Sequence, residues 1–237
     1  MVSDEIIAFK NPKSIAAESY RALRTNLEFS MASNNSKSIL ITSSHVSEGK
    51  STIAANLATV FAMNNKKTIL IDADMRRGIQ HKKFDLNNHH GISSYLANLD
   101  GVDFNKIIKK TEINNLSIIT CGAVPPNPAE LLSTEKMKEL INKLKEMFDI
   151  IIIDGAPVLP VTDSVILSNF IDKVVIVASS GETHNDELKS VKNKLESAGA
   201  NIAGVVLNKV DIKGKSYGKG YYGAYTYYRD SDEKENK

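Results

Sequence analysis

The feature that most restricts the possible folds of this chain is a set of short runs of Ile, Val and Leu. These runs lack the alternating polar residues of a half-exposed strand. Continuous apolar strands are typical of a parallel sheet that helices cover on both faces. The runs lie at residues 37–42, 68–71, 116–120, 149–153, 173–178 and 202–207. Segments with helical apolar spacing separate them, most clearly at 50–63, 134–147 and 185–197. The pattern predicts an α/β fold with a doubly wound, mostly parallel sheet flanked by helices.

Composition limits the kind of protein this is. The chain has 237 residues, 42% of them hydrophobic, and a net charge of +2, which fits one globular domain and gives no support for a nucleic-acid partner. Its single cysteine, Cys121, excludes an intrachain disulfide and indicates a reducing compartment; we expect a small buried side chain there. No run approaches the roughly 18 apolar residues of a membrane span. We therefore expect a cytoplasmic protein, which a partner must recruit if it works at a membrane.

The composition changes abruptly after Ile212. From Lys213 onward there is no Ile, Leu, Val, Met or Phe, and tyrosines alternate with glycines before a charged end. The tyrosines of this segment are Tyr217, Tyr221, Tyr222, Tyr225, Tyr227 and Tyr228. Such a segment buries too little apolar surface to offset its ordering entropy. We predict a folded domain over residues 1–212 and a disordered, tyrosine-rich tail over 213–237.

A phosphate-binding sequence follows the first apolar run. The P-loop pattern Gly-x4-Gly-Lys-Ser/Thr is matched from Ser44 to Ser51, with Ser44 in place of the first glycine, between a predicted strand and a predicted helix. In such loops backbone N–H groups face the phosphates. Lys50 is expected to neutralise phosphate charge and Ser51 to coordinate Mg²⁺. The residues predicted to contact nucleotide here are Ser47, Glu48, Gly49, Lys50, Ser51 and Thr52.

Three aspartates follow predicted strands. Asp72 and Asp74 come after the run at 68–71, and Asp154 ends the run at 149–153. Carboxylates at the ends of parallel strands lie beside the phosphate loop of the same sheet, where they hold Mg²⁺. In an extended chain Asp72 and Asp74 point the same way. One of them is predicted to bind the metal and the other to accept a proton from an attacking hydroxyl. By contrast, His81, His89 and His90 are predicted to be surface residues without a zinc site.

Several motifs together carry a resemblance to a known family. They are Glu18-Ser-Tyr-Arg21-Ala-Leu-Arg24, Glu48-Gly49-Lys50-Ser51, Asp72-Ala-Asp74-Met-Arg76, Gly122-Ala-Val-Pro-Pro-Asn-Pro-Ala-Glu-Leu-Leu132, and the tyrosine cluster. On these motifs the chain resembles the bacterial tyrosine kinases (BY-kinases) of capsule and exopolysaccharide synthesis, in the cytoplasmic Gram-positive form. The resemblance implies ATP and Mg²⁺ as cofactors. It also implies autophosphorylation of the tail tyrosines in trans, with Ser51 and Asp154 on Mg²⁺ and with Asp72 and Asp74 sharing metal binding and proton acceptance.

The resemblance also implies partners. A transmembrane polysaccharide chain-length regulator would activate the kinase and recruit it to the inner face of the membrane, and a cognate tyrosine phosphatase would oppose it. Glu18, Arg21 and Arg24 span about 120° of a helix predicted over residues 12–30, with Asn11 as its N-cap and Pro12 at its first turn. In the family this motif builds a ring, which for this chain implies a homo-oligomer of eight subunits.

Two other functions remain open from the sequence. A Min/Par-type ATPase shares the fold and the strand-end aspartates, but such proteins carry an extra lysine early in the loop, where this chain has His45. A GTPase is suggested by Asn208-Lys209-Val210-Asp211, which matches the guanine-reading pattern Asn-Lys-x-Asp. We favour Asn208 as a contact to the edge of adenine, with Asp211 beginning a turn.

Overall fold

A computed structural model describes residues 1–32 and 36–211. The predicted tail, with Tyr217, Tyr221, Tyr222, Tyr225, Tyr227 and Tyr228, lies outside the described residues. In the part that is described, no helix is both long enough and apolar enough to cross a membrane.

A seven-stranded sheet forms the centre of the domain, in the order β3-β4-β2-β5-β1-β6-β7. The strands are β1 Ser38–Ser43, β2 Thr68–Asp72, β3 Lys109–Lys110, β4 Leu116–Ile119, β5 Ile150–Asp154, β6 Lys173–Ser179 and β7 Ile202–Asn208. All neighbouring strands are parallel except β3 and β4, which are antiparallel. This confirms the predicted doubly wound, mostly parallel α/β architecture.

Helices cover both faces of the sheet. They are α1 Ile7–Lys10, α2 Ile15–Ala32, α3 Lys50–Met63, α4 Gln80–Lys83, α5 Ile92–Leu96, α6 Phe104–Ile107, α7 Pro128–Leu132, α8 Glu135–Met147, α9 Asp163–Ser168 and α10 Asn185–Ser197, with a 3-10 turn at Leu99–Gly101. Ile69 and Ile71 of β2 pack in one core with α8, while Leu70 packs in the other core with α3. Every residue of β1, β2, β5 and β6 is therefore buried, as continuous apolar strands require.

The strand order brings the candidate site together. β5 lies between β1 and β2, and its last residue, Asp154, is in register with Asp72 of β2 and Ile41 of β1. β1 then runs through a short loop into α3. The phosphate loop and two strand-end carboxylates consequently meet at one edge of the sheet.

The start of the long N-terminal helix differs from the prediction. The helix runs from Ile15 to Ala32, and Asn11 instead caps the end of α1. Its own N-terminus is capped by Ser14, whose Oγ accepts a hydrogen bond from the backbone N–H of Ala17 at 3.1 Å. The predicted Asn11 cap was wrong because a short upstream helix uses that residue and Ser14 supplies the same chemistry three residues later.

Candidate active site

The phosphate loop adopts the backbone conformations that its residue types allow. Gly49 has φ +95°, and a Cβ on it would lie 2.0 Å from Asn208 Nδ2, so only glycine fits. Ser47 also has a positive φ, of 66°, whereas Ser44 does not. Ser44, which replaces the first glycine of the pattern, therefore has a backbone conformation that serine can adopt.

Glu48 holds the loop in place from within. Its side chain is buried, and it accepts hydrogen bonds from the backbone N–H of His45 at 2.8 Å and from the Thr183 hydroxyl. Asn208 Nδ2 donates to the Glu48 carbonyl at 2.9 Å. Glu48 and Asn208 thus brace the loop from the β6 and β7 side of the sheet. Their predicted contacts with nucleotide, including that of Asn208 with adenine, stay predictions.

Lys50 is the centre of the charged cluster. Its Nζ lies 2.8 Å from Asp74 Oδ2, 3.4 Å from Asp154 Oδ1 and 3.1 Å from Ser51 Oγ. Burial by itself lowers the pKa of Lys50, but the charges of Asp154 and Asp74 outweigh it and the net pKa is raised. The ammonium therefore stays charged and is held at the mouth of the phosphate loop.

Asp72 lies deepest in the cluster. It is fully buried, its Oδ2 accepts the Gln80 backbone N–H at 2.9 Å, and its Oδ1 has no hydrogen-bond partner among the described residues. Burial, and after it the charge of Asp154, raise the pKa of Asp72 well above its ordinary value. Three carboxylates thus act on one ammonium, and Asp72 has a buried oxygen that could bind a cation. Carboxylate and hydroxyl oxygens are the donors that Mg²⁺ prefers, so the residues present fit that ion.

Asp74 reaches the cluster from a turn and not from an extended strand. β2 ends at Asp72, and Asp74 Oδ1 accepts the backbone N–H groups of Arg76 and Arg77 at 3.3 and 3.0 Å. Ala73 still donates to the Asp154 carbonyl at 2.9 Å, so the turn begins at Asp74 itself. Arg76 anchors the turn through two hydrogen bonds to the fully buried Asp163, at 2.9 and 3.1 Å. Both aspartates still converge on the region of Lys50, although by different routes.

Gln80 is a site residue that the sequence did not reveal. It is fully buried, and its Nε2 donates to the Ser51 carbonyl at 2.9 Å and to Asp154 Oδ2 at 2.8 Å. Its backbone N–H donates to Asp72 Oδ2. One residue thereby ties together the phosphate loop helix and two strand-end carboxylates. Its spacing from those residues follows no pattern that could have marked it.

A cavity of about 410 Å³ opens over the cluster. Its lining residues are Glu5, Val46, Ser47, Gly49, Lys50, Ser51, Thr52, Asp74, Arg77, Ile79 and Lys83. Thr52 accepts a hydrogen bond from Lys83 Nζ at 3.1 Å. Most of the predicted phosphate-contacting residues therefore face one open space, with Asp74 on its wall and Asp72 behind it.

The predicted oligomerisation residues lie on α2, where they bond within the chain. Arg21 Nε donates to Glu18 Oε2 at 2.5 Å, and Arg21 Nη1 donates to the Pro12 carbonyl at 2.9 Å. Arg24 Nη1 donates to the Val60 carbonyl of α3 at 3.2 Å. Their role between subunits stays a prediction.

The three histidines differ in how far they are exposed, and Cys121 is buried. His89 and His90 are exposed as predicted, whereas His81 is only partly exposed and its Nδ1 is buried without a hydrogen-bond partner in the part of the chain that the structure describes. Cys121 is buried as expected. Burial, with the nearby Asp72 charge, raises its pKa to about 11, so the thiol is protonated and is no nucleophile at neutral pH.

Comparison with known proteins gives consistent matches along the chain. The family model of an AAA domain matches residues 36–202. The putative tyrosine-protein kinase CapB of Staphylococcus aureus is 39% identical over 212 residues, covering 90% of this chain and 92% of that protein. The tyrosine-protein kinase YwqD of Bacillus subtilis is 40% identical over 218 residues, covering 92% and 91%.

Solved structures agree with these relatives. The chimerical protein CapA2B2 superposes with a TM-score of 0.83 at 40% identity, covering 88% of this chain and 91% of that one. The kinase domain of the Escherichia coli tyrosine kinase ETK gives 0.85 at 36% identity, covering 91% and 84%. The cell division ATPase MinD of Pyrococcus furiosus, at 0.62 and 24% identity over 72% and 71%, shares the fold alone.

Proposed function

The chain belongs to the bacterial tyrosine-protein kinases, and from that premise we propose that the Lys50 cluster transfers the γ-phosphoryl group of ATP to tyrosine hydroxyls. The observation that carries the proposal is Lys50 Nζ held between Asp74 and Asp154, near the charge of Asp72, whose Oδ1 has no hydrogen-bond partner among the described residues. This arrangement has the charge and donor set of a site for a metal-bound triphosphate.

The described residues divide the work of phosphoryl transfer. The loop N–H groups and the Lys50 ammonium bind and orient the phosphates. Ser51, Asp72 and Asp154 are the proposed holders of Mg²⁺, which when bound neutralises charge on the β- and γ-phosphates. Asp74 is the proposed acceptor of the tyrosine proton, because it lines the cavity while Asp72 is fully buried behind it. The tyrosine oxygen bonds to phosphorus as the bond to ADP breaks.

The proposed acceptors are the chain's own tail tyrosines, Tyr217, Tyr221, Tyr222, Tyr225, Tyr227 and Tyr228. Their support is the clustering of tyrosine and glycine after the domain, together with membership of the family. We propose that a tail enters the site of a neighbouring subunit, which an oligomeric ring would favour through high effective concentration. A membrane-bound chain-length regulator as activator, a cognate phosphatase and a cytoplasmic location at the membrane complete the proposal, and they rest on the family resemblance.

The test is mass spectrometry of the full chain incubated with Mg·ATP. Wild-type protein is mixed with a ¹⁵N-labelled Lys50→Met chain, so that each phosphopeptide reports which molecule accepted the phosphate. We expect phosphotyrosine on tail peptides of the labelled chain and none when the Lys50→Met chain is incubated alone. Release of inorganic phosphate without phosphotyrosine would instead favour the Min/Par-type ATPase.

Nucleotide choice is tested in the same assay. Asn208 is bonded to the phosphate loop through its side chain, and Asp211 is exposed. We propose ATP as the substrate, so an equal concentration of GTP should leave the phosphorylation rate nearly unchanged. In a separate competition assay, displacement of a bound ATP analogue by an equal concentration of GTP would favour the GTPase interpretation.

A further inference from the structure

Three residues with metal-binding side chains meet beside the candidate active site. A carboxylate oxygen of Asp72, a ring nitrogen of His81 and the Sγ of Cys121 all lie within 4.8 Å of one another. They come from β2, from α4 and from the segment after β4, so the fold and not sequence proximity assembles them. Ligand atoms about 2.0–2.3 Å from a tetrahedral ion lie about 3.3–3.8 Å apart, and adjustments of about 1 Å therefore close the set.

Asp72 and His81 each carry a buried polar atom without a hydrogen-bond partner among the described residues. Asp72 Oδ1 and His81 Nδ1 are both buried without a hydrogen bond among the described residues, and Asp72 is fully buried. Buried polar atoms without partners are costly, so each of these two atoms would gain from binding a ligand. The Asp72 oxygen that lies beside Cys121 Sγ at Gly78 is Oδ2, which accepts the Gln80 N–H, so the unpartnered His81 Nδ1 is the observation that is independent of the clustering.

Gly78 keeps the space between the ligands open. A Cβ on Gly78 would lie 2.4 Å from Cys121 Sγ and 2.9 Å from Asp72 Oδ2, so any other residue would intrude on both atoms. The positive charges of Lys82 and Lys109 lie near His81. The charges of Asp154 and Asp74, which act on Asp72, oppose those of the two lysines. Gly78 therefore leaves the Cys121 and Asp72 ligand atoms without a side chain between them, and carboxylates offset the lysine charges nearby.

We propose that Asp72, His81 and Cys121 form a Zn²⁺ site with three protein ligands and a fourth position open to water. One sulfur, one imidazole nitrogen and one carboxylate oxygen are the ligand types that Zn²⁺ takes, whereas Mg²⁺ prefers oxygen alone. Binding forms a Zn–S bond as the Cys121 thiol loses its proton to solvent. Zn²⁺ keeps its oxidation state, so no redox partner is needed.

The site shares Asp72 with the phosphoryl-transfer machinery, and its consequence rests on the proposed function. An Asp72 carboxylate that is bound to Zn²⁺ on the Cys121 side gives up part of its negative charge to that ion and holds Mg²⁺ more weakly on the Lys50 side. Zinc occupancy therefore inhibits tyrosine phosphorylation. Cys121 and His81 take no part in the proposed phosphoryl transfer, so substituting them separates the two roles.

The binding test uses the metal-free full chain titrated with Co²⁺ as a spectroscopic probe. Cys121 is the only cysteine, so a thiolate-to-cobalt charge-transfer band has a single possible source. We expect this band to saturate at one equivalent in wild type and in the exposed-histidine control His89→Asn, and to be abolished by one equivalent of Zn²⁺. Cys121→Ser should lack the band, and His81→Asn should weaken cobalt binding by at least about tenfold.

Folded wild-type protein that shows no charge-transfer band with Co²⁺ would refute the proposed site. This test does not depend on the folding of any variant. A band that His81→Asn leaves unchanged in affinity would also overturn it, because His81 would then not be a ligand. The kinase test adds Zn²⁺ in the presence of excess Mg·ATP. Phosphorylation by wild type and His89→Asn should fall in proportion to the filled sites, and that by Cys121→Ser should not.

The proposed kinase activity and the inhibitory role of zinc can be refuted separately. Absence of phosphorylation without zinc would refute the proposed function and leave the cobalt result standing. Normal phosphorylation that persists with the zinc site filled would refute the inhibitory role alone.

Discussion

At the scale of single residues, the site is a balance of three carboxylates against one ammonium. Lys50 is buried and lies 2.8 Å from Asp74 and 3.4 Å from Asp154, while Asp72 lacks a direct bond to it. Breaking a buried ion pair by removing one partner leaves an uncompensated charge, which is costly. The arrangement is therefore sensitive to any change in its charge, and a divalent cation relieves it.

Lys50→Met should strongly destabilise the metal-free protein. We expect its free energy of unfolding to fall by about 3–5 kcal/mol, because Asp74 and Asp154 lose their cation. Urea denaturation measures the change. Millimolar Mg²⁺ should raise the stability of the variant more than that of wild type. Lys189→Met, which removes a mostly exposed ion pair with Asp186, is the control and should change stability by less than about 1 kcal/mol.

Asp72→Asn should stabilise the metal-free protein while it abolishes kinase activity. Burial and Asp154 raise the pKa of Asp72 above the ordinary 3.8, so the folded state favours the protonated carboxyl. Stability is lost as pH rises from that value through the folded pKa, and the neutral amide avoids this loss. We expect the melting temperature near pH 7 to rise by about 2–4 °C.

The pH dependence provides the check on this explanation. Because wild-type Asp72 becomes protonated as pH falls, the advantage of Asp72→Asn should shrink towards pH 4. Calorimetry across that range measures the difference between the two proteins. An advantage that stays constant with pH would show that the amide acts through packing and not through charge.

At the scale of elements, α4 connects the two halves of the site. Gln80, its first residue, donates to the Ser51 carbonyl of α3 and to Asp154 of β5. Gln80→Leu would leave both acceptors without this donor and let Asp154 reorient. We expect the Mg²⁺ concentration needed for half-maximal phosphorylation to rise by about tenfold or more. Lys82→Gln, an exposed change in the same helix, is the control; equal Mg²⁺ requirements in both variants would refute the positioning role.

The same elements show what the sequence could and could not predict. The central strands were located to within a residue or two, because continuous apolar runs have few alternatives to a covered strand. Parallel order alone then brought Asp72 and Asp154 together. β3 was missed because it consists of two lysines with no apolar signal. The cap at Asn11 was wrong because Ser14 offers the same chemistry nearby.

Long-range contacts explain what was missed in the site. Gln80 bonds to residues 29 and 74 positions away, and no local pattern encodes such a contact. His81 and Cys121 likewise meet only after α4 folds back against the end of β4. The histidines at 81, 89 and 90 look equivalent in the sequence, yet only His81 has a buried ring nitrogen without a partner among the described residues.

At the scale of the whole molecule, the proposed phosphorylation in trans requires one chain to present its tail to another. The α2 surface carries Glu18 and Arg21, each about one-third exposed, in an ion pair within the chain. Guanidinium and carboxylate groups at such a surface can exchange these bonds for equivalent ones to a second subunit. The proposed assembly through α2 would therefore need no refolding, only an exchange of partners.

Replacing Glu18, Arg21 and Arg24 by alanine should convert a ring into monomers. Size-exclusion chromatography with light scattering measures the mass, and Glu135/Lys138 double alanine, which removes an i,i+3 ion pair from α8, is the matched control. In the monomer, tail phosphorylation in trans becomes bimolecular. Its rate per molecule should then rise linearly with protein concentration, whereas the rate of the ring should be nearly independent of it. A triple variant that still elutes as a ring, or that keeps a concentration-independent rate, would refute assembly through this face.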